Sequence, residues 1–135
     1  YGSIGRALAE CKKLSTLKIR NCSLGQQKLR AFLPCLMECP VKSLVLSCCG
    51  LTSKSVRKLT RILAHHGVKR DTLAWQGDLR SGTGKNRPTF AQRNRLIDRV
   101  AQEGIVSLDL SFNPLGDEFV QQLCAALRAD KWIMA

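Results

Sequence analysis

Apolar residues in three stretches of the chain fall on one template: Leu14-x-x-Leu17-x-Ile19-x-x-Cys22-x-Leu24, Val41-x-x-Leu44-x-Leu46-x-x-Cys49-x-Leu51 and Ile105-x-x-Leu108-x-Leu110-x-x-Asn113-x-Leu115. The i, i+2 alternation inside each predicts a short strand with its apolar side chains on one face. Past each stretch, apolar residues recur 5, 8 and 12 places after the last leucine, at Leu29/Phe32/Leu36, Val56/Leu59/Leu63 and Val120/Leu123/Leu127. That spacing traces one side of a helix. Each unit therefore reads strand, turn, amphipathic helix, and neither element can bury its apolar face until another unit stacks on it. The expectation is an α/β solenoid, with a parallel sheet on the concave side and helices outside.

The template resembles the leucine-rich repeat. Leu17 and Leu44 are 27 residues apart, long enough for a full α-helix on the outer side. With cysteine at the end of two strands, this resembles the ribonuclease-inhibitor-like subclass and implies a horseshoe fragment. From Leu44 to Leu108 the gap is 64 residues, which predicts one irregular repeat, with its basic insert over 65–104. Its strand would be Thr72-Leu73-Ala74-Trp75, its loop Arg80 to Pro88, and its helix Ala91 to Ala101, where Leu96, Ile97 and Val100 have helical spacing. Ile4 and Leu8 fit the end of a preceding helix, and Trp132 and Ala135 the first apolar positions of a following strand. The 135 residues thus read as one domain of about four repeats, cut from a longer array, with an uncovered apolar end open to self-association.

Charge changes the picture more than composition does. The net charge is +12, and it gathers in Lys12, Lys13, Lys18 and Arg20, in Lys54, Arg57, Lys58 and Arg61, and in Lys69, Arg70, Arg80, Lys85, Arg87, Arg93, Arg95 and Arg99. The middle group suits a solvated outer helix face. The irregular segment, above all Arg80, Lys85, Arg87, Arg93 and Arg95, suits an acidic protein surface, because long charged loops are where repeat arrays place recognition. Nucleic acid is disfavoured for want of interleaved aromatics and of any DNA-binding helix or finger spacing, and no apolar run reaches the ~18 residues of a membrane span.

Seven cysteines without paired spacing suit reduced thiols in a cytosolic or nuclear protein. Cys35 and Cys39 with His65 and His66 invite a zinc site, but no C-x-x-C pair anchors one. Gly82-x-Gly84-Lys85 lacks the spacing of a phosphate loop. His65-His66 reads as a helix end, where imidazolium meets the C-terminal dipole. No nucleophile and base are set up for catalysis, so the chain reads as a non-enzyme without cofactor or metal.

Strand alternation instead directs Thr16, Lys18, Arg20 and Asn21, Ser43, Val45, Ser47 and Cys48, Thr72, Ala74 and Gln76, and Ser107, Asp109, Ser111 and Phe112 out of the concave face. This is a polar protein-docking surface, basic at one end and carrying an acid and an aromatic at the other.

A narrower resemblance lies in Ala74-Trp75-Gln76-Gly77-Asp78-Leu79-Arg80, a basic stretch with Arg87-Pro88, and Gly104-Ile105-Val106-Ser107-Leu108-Asp109-Leu110. Together with Ala126-Leu127-Arg128-Ala129-Asp130-Lys131-Trp132-Ile133-Met134-Ala135, Asn21-Cys22-Ser23-Leu24-Gly25 and Ser47-Cys48-Cys49-Gly50-Leu51-Thr52, it is similar to the seventy-eight-kilodalton centrosomal protein family. The resemblance implies a cytoplasmic, non-catalytic scaffold at centrosomes, centrioles and ciliary basal bodies, partnered by centrosomal proteins and a ubiquitin-ligase complex. The alternatives are the repeat domain of an innate-immune sensor and that of a cytoskeletal or small-GTPase regulator.

Overall fold

The computed structural model describes residues 6–8, 10–81 and 89–130, with side chains throughout except at 26 and 78–81. Ile4, Lys85, Arg87, Pro88, Trp132 and Ala135 and the side chain of Arg80 lie outside that description. The three templates form strands β1 (Thr16–Arg20), β2 (Ser43–Ser47) and β3 (Ser107–Asp109), hydrogen-bonded in the order β1-β2-β3. Both pairings are parallel. Leu17 faces Leu44 and Leu44 faces Leu108, so template positions pair with their own equivalents. The lead-ins repeat too: the amides of Lys42 and Ser43 both donate to the Ser15 carbonyl, and those of Val106 and Ser107 to the Lys42 carbonyl.

Among the described residues the sheet is accompanied by α1 (Gly25–Glu38), α2 (Val56–Ser81), α3 (Phe90–Ala101) and α4 (Gly116–Ala129). Leu29, Phe32, Leu33 and Leu36 of α1 and Val56, Leu59, Ile62 and Leu63 of α2 are buried with Leu44, Leu46, Cys49 and Leu51 in one core. Burial is complete only in the middle unit. Leu17 and Ile19 on one side and Leu108, Leu110 and Leu115 on the other are half-buried, because among the described residues each of their strands pairs on one flank only. In α4 the fully buried residue is Phe119, one place before the expected position, while Val120 is exposed.

The expected strand at Thr72–Trp75 is helix. α2 runs unbroken for 26 residues, and β2 pairs directly with β3, so the irregular segment adds a helical hairpin rather than a strand unit. Between Val56 and Ser81 there is no proline, and the two glycines, 67 and 77, cost about 1 kcal/mol each in a helix. Tertiary contacts outweigh that cost. His66, Arg70, Leu73 and Gly77 continue the inner line of the helix, where His66 and Arg70 are buried. A Cβ on Gly77 would overlap the Leu96 side chain, so this glycine lets α3 pack closely. α3 begins at Phe90, one residue before the expected Ala91, because Thr89 caps it: the Thr89 hydroxyl accepts from the Gln92 amide, and the Gln92 side chain accepts from the Thr89 amide.

Candidate protein-binding face

After each strand the chain passes through a residue with left-handed backbone, Asn21 (φ 51°) directly after β1, Cys48 (φ 53°) directly after β2 and Phe112 (φ 58°) three residues after β3. The next residue then turns back beneath the sheet. The single proton of the Cys49 thiol is shared between the carbonyls of Ile19 and Ser47, both at 3.4 Å. Asn113 does the same with its amide nitrogen, which donates to the carbonyls of Leu46 (2.7 Å) and Leu110 (2.8 Å). Its Oδ1 also accepts from the amides of Cys49 (2.9 Å) and Leu51 (3.0 Å). Asn113 thereby ties the third unit to the second, which fixes the relative placement of the strand faces. Burial raises the Cys49 thiol above its ordinary pKa, so it stays protonated and able to donate. Cys49 is fully buried, whereas Cys22 and Asn113 are half-buried.

The side of the sheet away from the helices carries the expected side chains in register rows. Thr16, Ser43 and Ser107 form one row; Lys18, Val45 and Asp109 form the next; Arg20 pairs with Ser47 beyond them. Thr16, Lys18, Arg20, Asn21, Cys48, Ser107, Ser111 and Phe112 are exposed, and Ser43 and Asp109 are half-buried. Two expectations change. Val45 and Ser47 are buried, being the small residues of the central strand with longer side chains in register beside them. Thr72, Ala74 and Gln76 are absent from this face because they belong to α2; Gln76 instead lines a small groove with Leu96 and Arg99.

The remaining surface is polarised. Lys18 and Arg20 stand on β1, about 10 Å across two strand spacings from Asp109 on β3. The Asp109 carboxylate accepts from the Ser111 amide at 2.9 Å. Bonds from Ser111, followed by the charge of Arg20, hold its pKa below the usual value, so it is a fixed anion. Beside it Phe112 is 86% exposed. A left-handed conformation costs a non-glycine residue about 1–2 kcal/mol, and this ring buries little of its surface against the described residues.

The residues that hold β3 in place escaped the sequence reading. Arg70, assigned there to a basic recognition cluster, is fully buried. Its Nε donates to the Glu103 carbonyl (2.6 Å), Nη2 to the Ile105 carbonyl (2.9 Å), and Nη1 pairs with Asp130 (2.9 Å). One turn earlier, His66 Nδ1 accepts from the Ile105 amide (3.2 Å). His66 lies mid-helix rather than at a helix end, and burial, followed by the charges of His65, Arg70 and Lys69, lowers its pKa to about 4. It is a neutral acceptor, not an imidazolium. Gly104 (φ +74°) is required at the joint, since a Cβ there would lie 2.7 Å from the imidazole. The detectable signal was the helical interval from His66 to Arg70 continuing the core line of α2.

Cys35, Cys39, His65 and His66 form no metal-ligating group, and no set of three or more such side chains does among the described residues. Arg93 and Arg95 are exposed on α3, which packs only on α2 among the described elements. Past β3 and α4, an apolar groove of about 430 Å³ is lined by Leu63, Ile105, Leu108, Leu110, Leu123 and Leu127, among others.

The family model of the leucine-rich repeat matches residues 105–124, which contain β3, the Asn113 turn and the first half of α4. No curated protein matches the chain. The match and the three-stranded parallel sheet support a leucine-rich-repeat domain, and such repeats suggest a module for protein–protein interaction. Among the described residues no helix is long and apolar enough to cross a membrane.

Proposed function

We propose that the chain is a non-catalytic scaffold that binds a protein partner on the open face of its sheet. One observation carries this reading: Lys18, Arg20 and Asp109 stand exposed or half-exposed on strands locked in register, with exposed Phe112 in the turn just past β3, a rigid frame of the kind that recognition needs. The fixed anion and the two cations favour a partner with complementary charge across the face. Burying Phe112 against it would contribute about 2–3 kcal/mol. Stacked strand–helix units continuing into a curved repeat array, of the ribonuclease-inhibitor-like kind, are part of the same proposal. The apolar groove beyond β3 would then take another repeat or a second copy.

The finer reading is a centrosomal or basal-body adaptor, cytoplasmic, with centrosomal proteins and a ubiquitin-ligase complex as partners. It rests on the resemblance carried by Ala74–Arg80, Gly104–Leu110 and Ala126–Ala135. Arg80, Lys85, Arg87, Arg93 and Arg95 would add salt-sensitive attraction for an acidic surface. Two experiments test the proposal. Tagged full-length protein in ciliated cells should coincide with centrioles, and a diffuse or plasma-membrane distribution overturns the centrosomal reading. Arg20→Glu and Asp109→Lys should each release the partner recovered there while the melting temperature holds; retention by both overturns the open face as the binding site.

A further inference from the structure

We propose that the solvent-facing side of α2 is a second docking surface, shaped for an acidic amphipathic helix of a partner protein. It stands independently of the open face of the sheet. Arg57, Arg61, Ala64, Val68, Thr72 and Trp75 follow one another at intervals of three and four residues and are all exposed, so they form a single line down the helix. The line is about 27 Å long at 1.5 Å per residue. Leu59, Leu63, His66 and Arg70 occupy the opposite, buried side. Only the unbroken helix creates this line, because it brings Trp75 into the same row as the cations of the preceding unit.

The line is segregated along its length. Lys54, Arg57 and Arg61 stand exposed at the start, and from Lys54 to Arg70 the sequence has no acidic residue. Cations there oppose the positive end of the helix dipole. The first turn of α4, by contrast, carries Asp117 and Glu118. The fold therefore gains nothing from this arrangement, whereas an anionic partner would relieve it. At the other end Val68 and Trp75 are each 65% exposed, and tryptophan is the residue type most enriched among interface anchors. Alongside them a groove of about 210 Å³ runs between α2 and α4, lined by the small residues Ala64, Gly67, Ala126 and Ala129 with Val68 and the carboxylates of Asp71 and Asp130, so this end of the line does not suit the acids of a partner and leaves them to the cationic end. A helix lying on a membrane surface segregates around its axis, with an apolar side along its whole length. This one segregates along its axis, which favours a partner helix with acids at one end and large apolar residues at the other.

The test uses the full chain with Trp132→Phe, leaving Trp75 as its one tryptophan. Twenty-residue helices are selected from a surface-randomised display library, and binding is measured by anisotropy and by Trp75 emission. Selected helices should carry an acidic cluster near one end and apolar anchors near the other, and should shift Trp75 emission to the blue. Arg57→Glu with Arg61→Glu, and separately Val68→Ser with Trp75→Ser (read by anisotropy), should each weaken binding at least tenfold. Arg20→Glu should leave it unchanged. All these sites are exposed, so melting temperatures should match the parent. Three results overturn the proposal: a library that yields no binder, binders without acidic enrichment or indifferent to both double variants, and sedimentation with phosphatidylserine vesicles through these residues without selection of an acidic helix.

Discussion

Replacing Asn113 by leucine tests how the units are joined. The wild-type side chain fills its whole hydrogen-bonding capacity: Nδ2 donates to Leu46 and Leu110, and Oδ1 accepts from Cys49 and Leu51. Leucine keeps the volume and removes every partner. The amides of Cys49 and Leu51, on residues that are themselves buried, then lose their acceptor. An unmet buried donor costs about 1–3 kcal/mol, and the half-buried site lets some water in, so the low end applies and the two together cost about 2–3 kcal/mol. Asn113→Cys is the informative intermediate. It restores a donor toward the Leu46 carbonyl, as Cys49 already provides toward Ile19, but only a weak acceptor for the two amides, so about 1–2 kcal/mol is lost. Urea unfolding should place the midpoints in the order wild type, cysteine, leucine, with leucine lower by about 1–2 M. A leucine variant with the wild-type midpoint would refute the joint described here.

Three further outcomes follow from the buried groups and the groove. Unfolded histidine takes up a proton near pH 6.5 while folded His66 resists until about pH 4; its contribution is intact above 6.5 and is lost as pH falls toward 4, by about 3 kcal/mol. His66→Asn, which keeps an acceptor without titrating, should flatten that part of the stability–pH curve, and identical curves would contradict the assignment. Arg70→Met should destabilise by about 3–5 kcal/mol in chemical denaturation, since it removes the buried cation facing Asp130 and takes the donor away from two carbonyls; a change below 1 kcal/mol would show the pair to be dispensable. Leu123→Asp in the apolar groove should abolish concentration-dependent association in sedimentation velocity, and unchanged association would place the self-contact elsewhere.

Strand positions and register were legible because the template fixes them three times over, and a one-residue slip would turn every leucine outward. The hairpin was not. Four residues, Thr72 to Trp75, cannot decide between strand and helix on their own, and Gly67 after two histidines imitates a helix end. The deciding interactions, Arg70 with Glu103, Ile105 and Asp130, span 33 to 60 positions and leave no local signature. Alternation placed the open-face residues of β1 and β3 correctly. It could not show that Val45 and Ser47 would be buried, because that depends on the reach of side chains on neighbouring strands.

Site-specific photo-crosslinking distinguishes the surface that meets the partner from those that do not. A benzophenone amino acid is placed in the full-length protein at Phe112 or Lys18 on the open face, or at Arg30 on the exposed side of α1, and irradiated in cells. Binding on the open face yields the same discrete protein adduct from Phe112 and Lys18, lost on Arg20→Glu, and no such adduct from Arg30. Equal adducts from all three positions, or an adduct from Arg30 alone, would contradict the open face of the sheet as the principal binding surface.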